Sequence, residues 1–339
     1  MGALQPRSAS GSVPIVTGKK LMIFAGRANP VLAAEIARKL RIELGQVTLK
    51  TFSAGEVYCR YEESIRGADV FIVQPMCGNE ETGISANDAI MELMLMVDAA
   101  HGASAQRVIA VSPWFGYSRQ DKKSATREPI SARVIAGMLE LVKTSRILTV
   151  DLHAGQVQGF FHDPIDHLTA LFLLADYFRS LDLDDLVVVS PDVGRVKLNH
   201  KFAESIGAEL ALMTKQRPSH QVAEIGYVIG DVRGKTAVIV DDIIDTAGTL
   251  CAAGQAVLDA GAARVYAACT HPILSGPAFE RLAAASFEQI VVTDTIPLRP
   301  GAPENIVVLS CADILADTIR QVFTDGSVTT GLGGEDQLF

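Results

Sequence analysis

The chain alternates short apolar runs with stretches in which apolar residues recur at helical spacing. Residues 237–240 form one such run, rich in β-branched side chains, which predicts a buried parallel strand. Behind it, Leu250, Ala253, Val257 and Leu258 recur at the spacing of a helix. Because strands and helices alternate in this way along the chain, the pattern predicts an α/β protein with parallel, doubly wound sheets.

The predicted strands occur in the same order in both halves of the chain. Any two α/β units look somewhat alike at this level, but several matches in one order favour a duplication, with one mostly parallel sheet per half. The matched segments are 20–27 with 186–195, 47–52 with 208–214, 67–75 with 234–242, 107–113 with 264–272, and 146–151 with 289–294.

This pattern suggests domain limits. Residues 1–17 contain Ser, Gly and Pro without periodicity and are expected to form a flexible tail. We expect an N-terminal domain over 18–165 and a C-terminal domain over 166–317. A final segment, 318–339, would return to the N-terminal domain and finish in a flexible end.

The segment from Ala237 to Thr249 combines a strand, an acidic loop and the start of a helix. Such a loop lies at the carboxyl end of a sheet, where α/β proteins bind ligands. Backbone N–H groups near residues 246–249 suit a phosphate, whereas Asp241 and Asp242 suit sugar hydroxyls. The segment therefore predicts a sugar-phosphate site. An alternative is that Asp245 or Thr246 only caps the helix and that the paired aspartates are solvated.

The corresponding loop of the first half, residues 74–82, lacks both the paired carboxylates and the phosphate cradle. One sugar-phosphate site per chain follows, and the first half is available for a second substrate. Arg119 and Gln120 stand beside aromatic residues and could hold a base, while Lys122 and Lys123 could contact phosphates. Taken alone, this basic run could equally be a solvated surface.

Composition narrows the possible functions. The net charge of −9 has no compensating basic block, which argues against nucleic-acid binding. No apolar run is long enough for a membrane span. The five cysteines are scattered without a Cys-x-x-Cys spacing, which favours free thiols and a cytoplasmic enzyme.

Several motifs together resemble ribose-phosphate diphosphokinases over residues 19–331. They are Phe52-Ser-Ala-Gly-Glu56, Tyr117-Ser-Arg-Gln-Asp-Lys-Lys123, Asp151-Leu-His-Ala154, Ser190-Pro-Asp-Val-Gly194, Thr214-Lys-Gln-Arg-Pro218 and the loop from Asp241 to Thr249. The resemblance implies two type I phosphoribosyltransferase-like domains. It also implies a Mg²⁺-dependent reaction of ATP with ribose 5-phosphate that yields phosphoribosyl diphosphate and AMP, for purine, pyrimidine, histidine and NAD synthesis.

The resemblance also implies residue roles. Lys215 and Arg217 would be catalytic, on a mobile loop that follows a strand. His153 and Asp192 would contact the metal. The residues implied for ATP are Phe52, Glu56, Arg119, Gln120 and His153, of which Phe52 and Glu56 would reach a neighbouring subunit of a homohexamer. Those implied for ribose 5-phosphate are Asp241, Asp242, Asp245, Thr246, Ala247, Gly248 and Thr249.

An allosteric site for ADP and inorganic phosphate is implied at Ser64, Arg66, Ser327 and Thr329, where Thr329 keeps a hydroxyl that a phosphate contact needs.

The chain departs from the family at three positions. Ala54 replaces an Asn or Asp that touches the base, and Ala247 is a mild change in the phosphate loop. Arg195 stands where many members have Gly, and the sequence leaves open whether its guanidinium replaces another cation or faces solvent.

Two other functions compete with the diphosphokinase. A phosphoribosyltransferase would explain the acidic loop but not the motifs of the first half. A non-catalytic paralogue that only assembles with an active enzyme should have lost site residues, and this chain retains them.

Overall fold

Two separate main sheets organise the chain, as the repeated strand pattern predicts. The structure is a computed structural model and describes residues 18–216 and 225–328. The predicted tail, 1–17, and the end of the chain from residue 329 lie outside the described residues. No helix in the described ranges is long and apolar enough to cross a lipid bilayer.

The first unit has a five-stranded sheet in which every neighbouring pair of strands is parallel. Its elements are β1 (Lys20–Ala25), α1 (Pro30–Leu40), β2 (Val47–Thr51), β3 (Val57–Tyr61), β4 (Ala68–Val73), α2 (Ala86–Gly102), β5 (Arg107–Val111), α3 (Ser131–Leu141), β6 (Arg146–Val150) and β7 (Ile165–Leu168). The order in the sheet is β1-β4-β5-β6-β7.

The second unit has a seven-stranded sheet that is parallel except at one edge. Its elements are α4 (Leu171–Ser180), β8 (Leu186–Ser190), α5 (Val196–Ile206), β9 (Glu209–Gln216), β10 (Ile225–Ile229), β11 (Thr236–Ile244), α6 (Gly248–Asp259), β12 (Arg264–Pro272), α7 (Ala278–Ala284), β13 (Ile290–Thr293), β14 (Ile306–Leu309) and α8 (Ala312–Phe323). The order is β10-β9-β8-β11-β12-β13-β14, and within these described strands only β10 and β9 are antiparallel.

The duplication fails at one pair of segments. The sequence pattern matches residues 47–52 with 208–214, but β9 belongs to the main sheet whereas β2 pairs with β3 in a separate antiparallel hairpin. The hairpin rests on α2 through β3, where the Tyr61 hydroxyl donates to the Met96 carbonyl at 2.8 Å. All of β2 remains exposed or half-exposed, so its match with 208–214 does not extend to a place in the main sheet.

Helices cover both faces of each sheet. In the first unit α2 and α3 pack on one face, and α1 together with α8 packs on the other. In the second unit α4 and α5 cover one face and α6 and α7 cover the opposite one. The chain thus returns to the first unit at α8, which begins before the predicted limit at residue 317, and β7 extends the first sheet past residue 165.

A buried contact between the units brings the carboxyl ends of their strands together. The Trp114 ring lies 4.7 Å from the His271 ring. His271 Nε2 donates to the Val150 carbonyl at 3.0 Å, and the Thr270 hydroxyl donates to the Asp151 carboxylate at 2.7 Å. These bonds join the end of β6 to β12, so the loops that follow β6 and β11 face one another.

Candidate active site

The loop that follows β11 forms an anion cradle at the start of α6. The loop covers residues 245–247, and Ala247 has a φ of 59°, a left-handed conformation that turns the chain into the helix. Within the described residues no side chain caps α6, so its first N–H groups and the helix dipole are available to an anion. The alternative in which Asp245 or Thr246 caps this helix is therefore wrong.

Arg281, on α7, fixes the orientation of the cradle. Its Nη1 donates to the Thr246 carbonyl at 2.9 Å. Because a trans peptide points its N–H opposite to its C=O, the amide of Ala247 is directed away from α7. A Cβ placed on Gly248 would lie 3.1 Å from the same Nη1, so a glycine is favoured at this position.

Asp241 and Asp242 point in different directions because both belong to β11. The strand runs through the acidic pair to Ile244, further than the sequence suggests, and side chains alternate along a strand. Asp241 is half-exposed, and its pKa is raised by burial and by the charge of Asp242. Burial also acts to raise the pKa of Asp242, but hydrogen bonding to His153 and the charge of Arg195 outweigh it and lower this pKa.

Asp242 is the centre of a cluster that joins the two units. Its side chain is only 3% exposed, and its Oδ2 accepts a hydrogen bond from His153 Nδ1 at 2.8 Å. Arg195 forms an ion pair with the same oxygen, and its Nη2 donates to the His153 carbonyl at 3.1 Å. Because Asp242 is held as a carboxylate, the His153 proton lies on Nδ1 and Nε2 is left for a ligand. Arg195 therefore does not face solvent.

Two adjoining cavities meet at this cluster. The cradle cavity, of about 310 Å³, is lined by the cradle together with Asp192, Asp241 and Asp242. The basic cavity, of about 610 Å³, is lined by three lysines, by the loop after β6 and by the start of α5. Arg119 and His153 line both cavities, so one wall from the first unit separates two compartments of different chemistry. The lysines are Lys122, Lys197 and Lys201.

A second contact across the units lies in the wall of the cradle cavity. Arg119 Nη1 lies 2.6 Å from Asp245 Oδ2. The other oxygen of Asp245 accepts a hydrogen bond from the Ser275 hydroxyl. The pKa of Asp245 is lowered because these two hydrogen bonds outweigh the effect of burial. Residues predicted for the nucleotide and for the sugar phosphate are thus in direct contact.

Other predicted nucleotide residues lie apart from the two cavities. Phe52 and Glu56 close the turn between β2 and β3, where the Phe52 N–H donates to the Glu56 carbonyl at 2.8 Å. The Phe52 ring is 44% exposed, and neither residue lines either cavity. Gln120 follows Arg119, but its side chain accepts a hydrogen bond from the Ser131 hydroxyl at 2.6 Å.

Lys215 lies in a strand and not in the loop that the sequence predicts. It belongs to β9, where its backbone pairs with that of Gly226 in β10. Pairing with the antiparallel strand β10 extends β9 as far as Gln216. The sequence of β9 alone does not reveal this extension. Arg217 lies outside the described residues.

The predicted allosteric residues lie near the start of β1. Ser64 and Arg66 are exposed in the connection between β3 and β4, and Lys20 Nζ donates to the Ser64 carbonyl at 3.4 Å. Ser327 is exposed shortly after Asp325, which pairs with Lys19 next to Lys20. Thr329 lies outside the described residues.

The site suits a magnesium ion that is held jointly with phosphate. In residues 18–216 and 225–328, no group of three or more acidic, histidine or cysteine side chains could hold a metal ion. Magnesium, however, commonly takes one or two carboxylates together with substrate phosphates. Asp192 supplies a carboxylate in the cradle cavity, and His153 stands at its wall. The donors therefore fit the ion when phosphate completes its coordination.

Sequence reasoning missed three features of this site. It did not foresee that Asp242 is buried, that Arg119 pairs with Asp245, or that Arg281 supports the cradle. The first could have been suspected from strand alternation if β11 had been extended to Ile244. The other two join residues more than 30 positions apart, and no local pattern signals them.

Comparison with known proteins agrees with this geometry. Residues 21–142 match the family model for the N-terminal domain of ribose phosphate pyrophosphokinase. Residues 184–331 match the model for the phosphoribosyl synthetase-associated domain. Together the two models cover both units, including the loop after β11 and the start of α5.

Individual relatives extend over nearly the whole chain. The ribose-phosphate pyrophosphokinase of Bacillus caldolyticus is 46% identical over 91% of this chain and 97% of its own length. That of a Nostoc species is 44% identical over 96% and 97%. The crystal structure of phosphoribosylpyrophosphate synthetase from Mycobacterium smegmatis superposes with a TM-score of 0.84 at 42% identity, and covers 91% of this chain and all of that one. The chain therefore belongs to the ribose-phosphate pyrophosphokinase family.

Proposed function

We propose that this enzyme transfers the diphosphoryl group of ATP to the 1-hydroxyl of ribose 5-phosphate, giving 5-phosphoribosyl 1-diphosphate and AMP. The observation that carries the proposal is the pair of adjoining cavities. One has an anion cradle beside a half-exposed carboxylate, the other is basic, and both share the wall formed by Arg119 and His153. A sugar phosphate and a nucleotide phosphate chain held there would meet at that wall.

The cradle cavity would hold the sugar. The N–H groups at the start of α6 would donate to its 5-phosphate, and the half-exposed Asp241 would accept from ribose hydroxyls. Asp242 is too buried for that role in this geometry and would instead orient His153. The sugar would then be fixed at both ends, with its 1-hydroxyl near His153 and Asp192.

The reaction needs positioning and positive charge more than covalent help. The 1-hydroxyl oxygen forms a bond to the β-phosphorus of ATP as its proton is released. The bond from that phosphorus to the oxygen bridging the α-phosphorus breaks, and AMP leaves with the bonding electron pair. Arg119 and Lys122 would face the phosphate chain, and Lys215 with Arg217 would contact the transferring group. Magnesium, when bound by Asp192 and His153, would supply charge neutralisation on the phosphate oxygens.

We also propose how the enzyme assembles and is regulated. The hairpin turn with Phe52 and Glu56 lines neither cavity of its own chain, as expected of a segment that completes the site of a neighbouring subunit. A homohexamer is the proposed assembly. Phosphate as an activator or ADP as an inhibitor would bind at two segments near the start of β1, one with Ser64 and Arg66 and the other with Ser327. Thr329, which lies outside the described residues, is the fourth proposed contact. Rates that respond to neither ion would contradict the regulatory part.

The cellular setting follows from the same proposal. All five cysteines are free, as in proteins of a reducing compartment, and we propose a cytoplasmic location. There the product would supply purine, pyrimidine, histidine and NAD synthesis.

One assay tests the reaction. The protein is mixed with MgATP and inorganic phosphate, and AMP release is measured with and without ribose 5-phosphate. We expect sugar-dependent AMP, one molecule per phosphoribosyl diphosphate formed. No AMP from an assembled oligomer would contradict the proposal and favour a non-catalytic assembly partner. Base-dependent consumption of supplied phosphoribosyl diphosphate would instead identify a phosphoribosyltransferase.

A further inference from the structure

Arg195 contacts three separate segments of the candidate site. Its guanidinium forms an ion pair with Asp242 and donates to the His153 carbonyl at 3.1 Å. Its backbone N–H donates to the Asp192 carboxylate at 3.0 Å. One residue therefore connects the loop after β6, the strand β11 and the loop after β8.

Arg195 lines the basic cavity, but its guanidinium is already paired with Asp242, which favours a positioning role over a role as a phosphate ligand. Its side chain is 13% exposed and that of Asp242 is 3% exposed, so the pair is largely removed from water. Asp242 is also adjacent to Asp241, whose carboxylate accepts a hydrogen bond from the Asp242 N–H at 2.9 Å. Two carboxylates so close together need a cation, and the guanidinium is already in contact with the buried one.

We infer that Arg195 is a positioning residue, which holds the Asp242 carboxylate and the His153 loop together across the two units and so fixes the wall shared by both cavities. The inference rests on the proposed function, because it assigns that wall to two substrates. A positioning residue and a direct phosphate ligand predict different effects on the two substrates. A residue that fixes the shared wall affects both substrates, whereas a phosphate ligand affects the nucleotide alone.

Arg195 reaches both partners through one nitrogen. Its Nη2 donates to the His153 carbonyl and forms the ion pair with the Asp242 carboxylate. A lysine would restore the positive charge but, on a different side chain, would not place its donor in the same fixed position. Removing the charge leaves the buried Asp242 carboxylate without its cation, and the carboxylate would then move.

The experiment compares Arg195→Met, Arg195→Lys, Asp242→Asn and the double variant R195M/D242N with the wild type. Arg179→Met is the matched control, because Arg179 forms an exposed ion pair with Asp176 on α4. Michaelis constants for both substrates and kcat are measured by AMP release. The affinity for ribose 5-phosphate is measured by calorimetry in EDTA without nucleotide, and circular dichroism checks that each variant is folded.

We expect R195M to lower kcat/KM by roughly 10- to 100-fold, as for partners that orient a ligating histidine, and to raise KM for both substrates. The calorimetric affinity for ribose 5-phosphate should also fall, and R195K should recover part of each loss. The double variant should be no worse than R195M, since the uncharged amide that D242N introduces needs no cation. R179M should match the wild type.

Three results would overturn the inference. They are kinetic constants of R195M within twofold of wild type, a rise in KM for ATP alone, or losses of R195M and D242N that multiply in the double variant. If R195M does not fold, R195K is used in its place. A rise in KM for both substrates then supports the inference, and a rise in KM for ATP alone contradicts it. Absence of AMP formation by the wild type would contradict the proposed reaction instead, and the calorimetric comparison would still test Arg195.

Discussion

His167 should make the protein sensitive to acid. It lies in β7, and its Nε2 accepts a hydrogen bond from the Leu152 N–H at 2.8 Å, next to His153. The proton of the neutral ring is therefore on Nδ1, which has no hydrogen-bond partner in the described part of the chain. Burial lowers the pKa of His167 from 6.5 to about 4, because the charge of Asp151, which acts to raise it, is outweighed by burial together with His271 and Arg195. The folded protein thus keeps this ring neutral well into the acid range.

The size of the effect follows from this shift. Above pH 6.5 the ring is neutral in both states and contributes no pH dependence. Between pH 6.5 and 4 the unfolded chain binds a proton that the folded protein does not, so stability falls as the pH falls. At pH 5 the loss amounts to roughly 2 kcal/mol of unfolding free energy. Below the folded pKa both states are protonated and the loss stops growing.

His167→Asn removes the titrating group and keeps an oxygen that can accept from the Leu152 N–H. The assay is urea unfolding at about pH 7.5 and pH 5, followed by the fluorescence of Trp114, the one tryptophan of the sequence. We expect the wild type to lose about 2 kcal/mol more than H167N between these two pH values. Carboxylates titrate in both proteins and cancel in the comparison. His200→Asn, at an exposed position on α5, should behave like the wild type.

Equal losses in the wild type and H167N would refute this reasoning. They would mean either that the His167 ring is protonated in the folded state, and so cannot accept from Leu152, or that water reaches the ring. A greater loss in H167N would also contradict it, because the variant has no histidine to titrate at this position.

Three further predictions concern the reaction itself. Lys215→Ala should lower turnover by roughly two to three powers of ten in steady-state assays, as for loss of one transition-state donor, whereas the surface variant Lys235→Ala should not. Gly248→Ala should raise KM for ribose 5-phosphate by about 10- to 100-fold and leave KM for ATP unchanged, while Gly137→Ala, in open space on α3, should alter neither. Arg281→Met should raise KM for ribose 5-phosphate by roughly 10-fold by releasing the cradle carbonyl, and an unchanged KM would show that the cradle does not need this support.

The fold was predictable where strands are buried on both faces. The strands β8, β11, β12 and β13 are central in the second sheet, and uninterrupted apolar runs indicate them. The element β7 was not foreseen because Asp166 and His167 interrupt its pattern. The strand β14 has an apolar run, and it lies beside β13 as β7 lies beside β6. Because β7 was not recognised, the comparison of the two halves did not reveal this pair.

The site was predictable as a set of residue types but not as a set of contacts. The sequence treats Asp241 and Asp242 as equivalent, since nothing in a pair of identical neighbours distinguishes them. Strand alternation then makes one half-exposed and the other buried. Arg195 shows the same limit. The sequence left open whether its guanidinium replaces another cation or faces solvent, and the contact with Asp242 excludes the second possibility.

The two units contribute unequally to one composite site, which explains how a duplicated chain can have a single centre. The second unit retains the cradle and the acidic strand, while the first supplies Arg119 and His153, which face them. Each of these two residues pairs with an aspartate of the other unit, Arg119 with Asp245 and His153 with Asp242. A movement of one unit against the other would therefore strain the Arg119–Asp245 ion pair and the His153–Asp242 hydrogen bond. Substrate binding that displaces Arg119 from Asp245 would loosen the cradle cavity, whereas the buried Asp242 cluster would continue to hold the wall in place.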